Sequence, residues 1–330
     1  MISTMNVLRL LLALTAAPLF AAPAAPRPNI VFIMADDLGY GDIGPFGQRL
    51  YGTPHVDRLA AEGTRFTHYY AQPLCGPSRA ALMTGCYPVR NSLNFNHLPK
   101  ARTGLHPDEM TMPEVLKQQG YATMIIGKWH LGDAAPFLPI KHGFDHWFGL
   151  PYSNDMWPFH PKIVKPNKPS MQGDIARARA ELTGFEGKGQ TYPPDWFPDL
   201  PLMRDGDVAE LNPQQSLLTQ RYSVEATRFI SANRAKPFFL YLAYNMPHVP
   251  LFPGKAYEGK SPRGRYGDVI EELDASVGAI LEHVQKAGLD NDTVVVFTSD
   301  NGPWAPYGID AGSAGPLRGA KGSVWEGGIR

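Results

Sequence analysis

The stretch Cys75-Gly76-Pro77-Ser78-Arg79 runs into Ala80-Ala81-Leu82-Met83-Thr84-Gly85 and reads as a helix with chemistry at its first turn. Pro77 suits that turn, the following residues are good helix formers, and Gly85 suits the end. Cys75 then sits at the positive end of the helix dipole, where anions are favoured. Arg79 lies four residues on, on the same face. Two polar pairs, Asp36-Asp37 and Asp300-Asn301, offer hard oxygen donors of the kind that hold Ca²⁺ or Mg²⁺. A single Asp after a strand is usually a turn or cap residue, whereas two such pairs at one sheet edge point to a metal. Lys128, His130, His248 and Lys321 can offset negative charge or move protons. Taken singly, Lys128 and Lys321 read more readily as solvated surface charges, and His130 and His248 as hydrogen-bonded structural histidines.

Four apolar runs are expected to position these residues: Asn29 to Ala35, Ala122 to Ile126, Phe238 to Tyr244 and Thr293 to Thr298. Continuous runs of this length predict parallel strands covered on both faces. Each ends in polar residues: Asp36-Asp37, Lys128 to His130, Asn245 to His248, and Ser299 to Asn301. Helices are predicted from Pro54 to a stop at Gly63, over Thr111 to Gln119, over Gln214 to Asn233, and over Tyr266 to Val284. The last has the clearest 3–4 spacing. Strands alternating with helices predict an α/β sandwich built on a large, mostly parallel sheet, with ligands beyond the carboxyl ends of the strands. Residues 158–213 are rich in Pro, Gly and charge and read as a loop insertion, and 302–328 reads as a Gly-rich loop.

The Cys-x-Pro-Ser-Arg block with its Thr84-Gly85 resembles the signature of the type I, formylglycine-dependent sulfatases. The resemblance extends to Pro28 to Tyr40, Gly127-Lys128-Trp129-His130-Leu131-Gly132, Ser299-Asp300-Asn301-Gly302, and Lys321-Gly322 through Glu326-Gly327-Gly328. Pro151-Tyr152-Ser153 and Tyr266-Gly267-Asp268 look most like the arylsulfatase A and N-acetylgalactosamine-6-sulfatase branch. The resemblance implies an alkaline-phosphatase-like fold and conversion of Cys75 to Cα-formylglycine by a separate formylglycine-generating enzyme. It also implies Ca²⁺ (or Mg²⁺) held by Asp36, Asp37, Asp300, Asn301 and position 75. By the same resemblance Arg79 and Lys128 hold the formylglycine diol, His130 helps it expel sulfate, and Lys321, His248 and Ser153 contact the sulfate. Lys321 or His248 would protonate the leaving alcohol. Family members continue beyond the Glu-Gly-Gly block with a further strand and a small C-terminal domain, so residues 27–330 are expected to be a catalytic domain truncated at its end.

Residues 1–24 read as a signal peptide, with Arg9, the apolar run Leu10 to Phe20 and small residues at Ala21 to Ala25. That run is too short to span a bilayer. The expectation is an exported protein, periplasmic or secreted, or lysosomal in a eukaryote. Across 330 residues Lys+Arg and Asp+Glu balance at 31 each, which argues against a broad nucleic-acid surface. Two cysteines exclude a disulfide framework, and Cys86 is expected to be free and buried. The reading is a sulfuric ester hydrolase acting on a sulfated small molecule or glycan. Its rivals are a phosphate or phosphonate ester hydrolase on the same fold and a non-catalytic binder of sulfated glycans.

Overall fold

A computed structural model describes residues 27–160 and 196–330. Residues 1–24 and most of the 158–213 insertion lie outside the described residues. The strands are β1 (Asn29–Ala35), β2 (Ala122–Gly127), β3 (His146–Gly149), β4 (Pro201–Arg204), β5 (Asp207–Leu211), β6 (Phe238–Ala243) and β7 (Thr293–Ser299). The main helices are α1 (Pro54–Glu62), α2 (Cys75–Thr84), α3 (Met112–Gln118), α4 (Leu218–Asn233), α5 (Arg265–Lys286) and the short α6 (Glu326–Ile329). One sheet runs in the order β5-β4-β3-β2-β6-β1-β7.

The four predicted strands form a contiguous parallel block, β2-β6-β1-β7. Its register is the first determinant of the site. Ala35 pairs with Ser299, Met34 with Ala243, and Gly127 with Ala243. The strands therefore end level, and the residues that follow them emerge at one edge.

Alternation along each strand divides the core in two. Val31, Ile33, Ile126, Leu240 and Leu242 pack with Phe229, Ile230, Val277 and Ile280 of α4 and α5. Met34, Ile125, Phe239 and Tyr241 pack on the other face with Ala80 and Met83 of α2, together with Trp129 and Phe144. Burying both faces explains why these strands carry no polar alternation.

Three expectations are corrected. Strand β7 is not covered on both faces: Val294 is 48% exposed, because β7 is the edge strand and pairs only with β1 among the described residues. Beside it lies an apolar groove of about 410 Å³, lined in part by Phe32, Leu38, Phe46, Val56 and Phe297. Within the supposed loop insertion, β4 and β5 form a hairpin, and β4 pairs antiparallel with β3. Their shortness hides them, β4 having four residues and β5 five, and β5 is largely exposed. Cys86 is free, as expected, but only partly buried, just beyond the Gly85 cap of α2. The 302–328 segment is irregular apart from a 3₁₀ stretch at Ala305–Asp310 and the start of α6. Among the described residues no helix is long and apolar enough to cross a membrane.

Candidate active site

Each strand end delivers one part of a buried charge cluster. β1 leads into Asp36 and Asp37, β2 into Lys128 and His130, β6 into the loop bearing His248, and β7 into Asp300 and Asn301. Helix α2 starts at Cys75 and turns Arg79 toward the same place. Lys321 arrives from the irregular segment before α6. Asp37 and His130 both adopt left-handed backbone conformations, with φ of 64° and 62°. Such strain in non-glycine residues is concentrated at functional sites.

Cys75 is wholly buried, and its Sγ donates to Asp36 Oδ1 at 3.3 Å and lies 3.8 Å from Asp37 Oδ1. Lys128 Nζ donates to Asp36 Oδ2 at 2.6 Å and to Ser153 Oγ at 3.2 Å. Ser153 Oγ in turn lies 3.2 Å from His248 Nε2. Lys321 Nζ is 2.7 and 2.9 Å from the two Asp37 carboxylate oxygens. Arg79 donates to Asp300 Oδ2 through Nε and Nη2, at 3.1 and 2.8 Å, and through Nη1 to the Lys128 carbonyl at 2.8 Å. It thus ties the end of β2 to the end of β7.

Asp36, Lys128 and Lys321 keep their charges through their partners. Burial opposes ionisation of Asp36, yet Lys128 and His248 keep its carboxyl below the usual range. Burial likewise opposes the Lys128 and Lys321 charges, and Asp36 and Asp37 respectively more than offset it. Cys75 behaves differently. The helix dipole favours an anion there, but burial, Asp300 and Asp36 push the thiol well up. A dipole worth about 0.3–1 kcal/mol does not compete with burial against carboxylates. His130 is held well below its ordinary value by burial and by Lys128 and Arg79. It is a neutral imidazole, with Nε2 against the His97 carbonyl at 3.2 Å and a buried Nδ1 that has no partner among the described residues.

The donor set suits a hard divalent cation. Ligand atoms of Asp36, Asp37, Cys75 and His248 all lie within 4.8 Å of one another. Asp300 Oδ1 accepts from the Asp37 backbone N–H at 3.1 Å, and Asn301 Nδ2 donates to Asp37 Oδ1 at 2.7 Å. Asn301 Oδ1 is buried without a hydrogen-bond partner among the described residues, as an oxygen reserved for a cation would be. His248 enters this grouping unforeseen. Its Nε2 meets Ser153 Oγ and its Nδ1 meets the Val249 carbonyl at 2.6 Å, which leaves it better placed for proton transfer than for ligation.

The structure therefore gathers every sequence-predicted residue: Asp36, Asp37, Cys75, Arg79, Lys128, His130, Ser153, His248, Asp300, Asn301 and Lys321. Two neighbours were not foreseen. Trp304 packs against His248 with ring centroids 5.2 Å apart and planes tilted by 53°, and lies under Lys321 Nζ at 4.4 Å. Asp155 sits two residues beyond Ser153, and that adjacency was the only sequence signal for it. Trp147 and Trp157 are core residues, whereas Trp196 is largely exposed.

A family model described as Sulfatase matches residues 28–330. N-acetylgalactosamine-6-sulfatase of Rattus norvegicus is 42% identical over 335 residues, covering 97% of this chain and 59% of that relative. Arylsulfatase A of Bos taurus is 40% identical, covering 96% of this chain and 60% of that protein. The crystal structure of a sulfatase from Pseudoalteromonas sp. superposes with a TM-score of 0.77 at 33% identity, covering 92% of this chain and 61% of that one. The chain thus spans about three-fifths of the length of the curated relatives it matches.

Proposed function

The chain belongs to the sulfatase family, and on that premise we propose that it hydrolyses sulfate esters at position 75. The observation that carries this reading is the placement of Cys75, sealed between two carboxylates inside a ring of fixed cations. Conversion of Cys75 to formylglycine by a separate maturing enzyme belongs to the same proposal. A buried thiol pushed well up is a poor nucleophile, so the unmodified side chain offers no route to catalysis. The hydrated aldehyde would supply two hydroxyls on one carbon, one as nucleophile toward sulfur and one to assist release of sulfate.

Asp36, Asp37, Asp300 and Asn301 would hold the divalent cation, Ca²⁺ or Mg²⁺, together with an oxygen at position 75. When bound, that ion lowers the pKa of the attacking hydroxyl and withdraws charge from the sulfate. Charge balance supports it. Arg79, Lys128 and Lys321 already match Asp36, Asp37 and Asp300 one for one, so the side chains alone leave little net positive field for an anion. Two further positive charges would release Lys128 and Lys321 toward the sulfate oxygens.

The remaining steps fall to this chain's own groups. His130, neutral and with a free Nδ1 lone pair, takes a proton from the diol. His248 directs Nδ1 to the Val249 carbonyl, so Nε2 faces Ser153 and the sulfate pocket. From there it is placed to pass a proton to the departing alcohol. The substrate class is a sulfated sugar or aryl compound, and the protein would be exported, periplasmic or secreted.

The test compares sulfate release from 4-nitrophenyl sulfate with phosphate release from 4-nitrophenyl phosphate, in protein produced together with a formylglycine-generating enzyme. The sulfate ester is expected to be the better substrate, and Cys75→Ala is expected to fall to background. A preference for phosphate, or turnover retained in Cys75→Ala, would contradict the reading.

A further inference from the structure

Asp155 has no role in the chemistry above, yet it stands beside it. The turn Ser153 to Met156, closed by Met156 N–H donating to the Ser153 carbonyl at 3.1 Å, sends its side chains in different directions. Ser153 meets Lys128 and His248. Asn154 turns back into the protein, donating to Gln215 Oε1 at 2.9 Å and to the Pro250 carbonyl at 3.3 Å. Asp155 Oδ1 is sealed from solvent and finds no hydrogen-bond partner among the described residues. Burial works against its charge, but His248, His160, Lys128 and Lys321 hold its carboxyl below the usual range. Its Oδ1 acceptor is thus unspent, two residues along the same turn from Ser153, which touches Lys128 and His248.

A carboxylate next to the sulfate pocket repels the sulfate, so its partner is a neutral donor on the rest of the ester. Trp304 supplies an apolar wall against the other side of His248 and Lys321, suited to the carbon face of a ring. Building on the sulfatase reading, we propose that Asp155 is a specificity-determining residue that accepts a hydrogen bond from a hydroxyl of the leaving alcohol, and so selects a sulfated sugar over an aryl sulfate. Sites that hydrogen-bond a substrate hydroxyl reject analogues lacking it far more strongly than apolar pockets distinguish shapes.

The test measures kcat and KM for the matured protein, Asp155→Asn and Asp155→Ala. The substrates are a panel of hexose and N-acetylhexosamine monosulfates and 4-nitrophenyl sulfate. The wild type is expected to prefer at least one sugar sulfate. In Asp155→Ala, kcat/KM on that sugar is expected to fall about 100-fold, and at least about 10-fold more than on the aryl ester. Asp155→Asn, which keeps an acceptor oxygen, should lie between the two, and it decides by the same ratio if the alanine variant does not fold. Equal losses on both esters, no loss on either, or a wild type active only on the aryl ester would overturn the inference while leaving the sulfatase reading intact. A wild type that releases sulfate from nothing overturns the reading itself.

Discussion

Lys128 and Asp36 are both fully buried and 2.6 Å apart, so each makes the other's charge tolerable. Removing one partner strands the other in a low-dielectric site, at a cost of about 3–5 kcal/mol. Lys128→Met is therefore expected to lower unfolding stability by that amount in urea titration and to abolish sulfate release. A loss below about 1 kcal/mol would mean that water reaches Asp36. Residue types alone did not reveal this pairing. Lys128, Lys321, His130 and His248 are ordinary in isolation, and only their positions within family-like blocks singled them out. Arg79 was legible as a neighbour of Cys75 one turn away, but its clamp from Asp300 to the Lys128 carbonyl depends on strands far apart in sequence. Asp155 was illegible because an Asp in a turn is commonplace.

Among the elements, β1, β2 and β6 were readable because burial on both sheet faces writes itself as unbroken apolar runs, and the longer helices through their apolar spacing and end residues. Strands β3 and β4 are four residues long and β5 is five and largely exposed, so their pairing rests on tertiary context. The end of β2 is the tightest point. Gly127 has φ of 101°, and a Cβ there would lie 1.8 Å from the Ala243 carbonyl oxygen. Gly127→Ala is expected to displace Lys128 and to cut sulfate release more than about 100-fold, since small misplacements at a reacting centre cost that much. Unchanged turnover would show that the strand ends adjust freely.

Helix α5 carries a second sensor of geometry. Glu272 accepts from the Gly254 N–H at 2.7 Å, and burial raises its pKa to about 7. A raised carboxyl favours the folded state fully below its unfolded value, 4.5, and that contribution is lost as pH climbs through about 7. The loss amounts to about 3 kcal/mol. Glu272→Gln should flatten the fall in Tm between pH 5 and 8; an unaltered slope would assign that fall to other groups.

For the whole molecule, net charge near zero conceals a local design in which Arg79, Lys128 and Lys321 each pair with a buried carboxylate. The parallel sheet makes this possible by ending four strands level, and helix α2 adds position 75 from outside the sheet. The metal-ligand reading predicts that Ca²⁺ at about 100 times its Kd raises stability by about 2.7 kcal/mol, and that a chelator reverses the rise in Tm. Stability indifferent to divalent ions would contradict it. The sheet edge at β7 and its apolar groove were not legible, because the strand's own sequence is as apolar as its buried neighbours.

The most direct check of the central claim is the mass of the tryptic peptide spanning residues 66–79, taken from protein produced with a formylglycine-generating enzyme and competent in sulfate release. The account predicts a peptide lighter by the difference between a CH₂SH side chain and an aldehyde at position 75. An intact thiol in that active protein would contradict it.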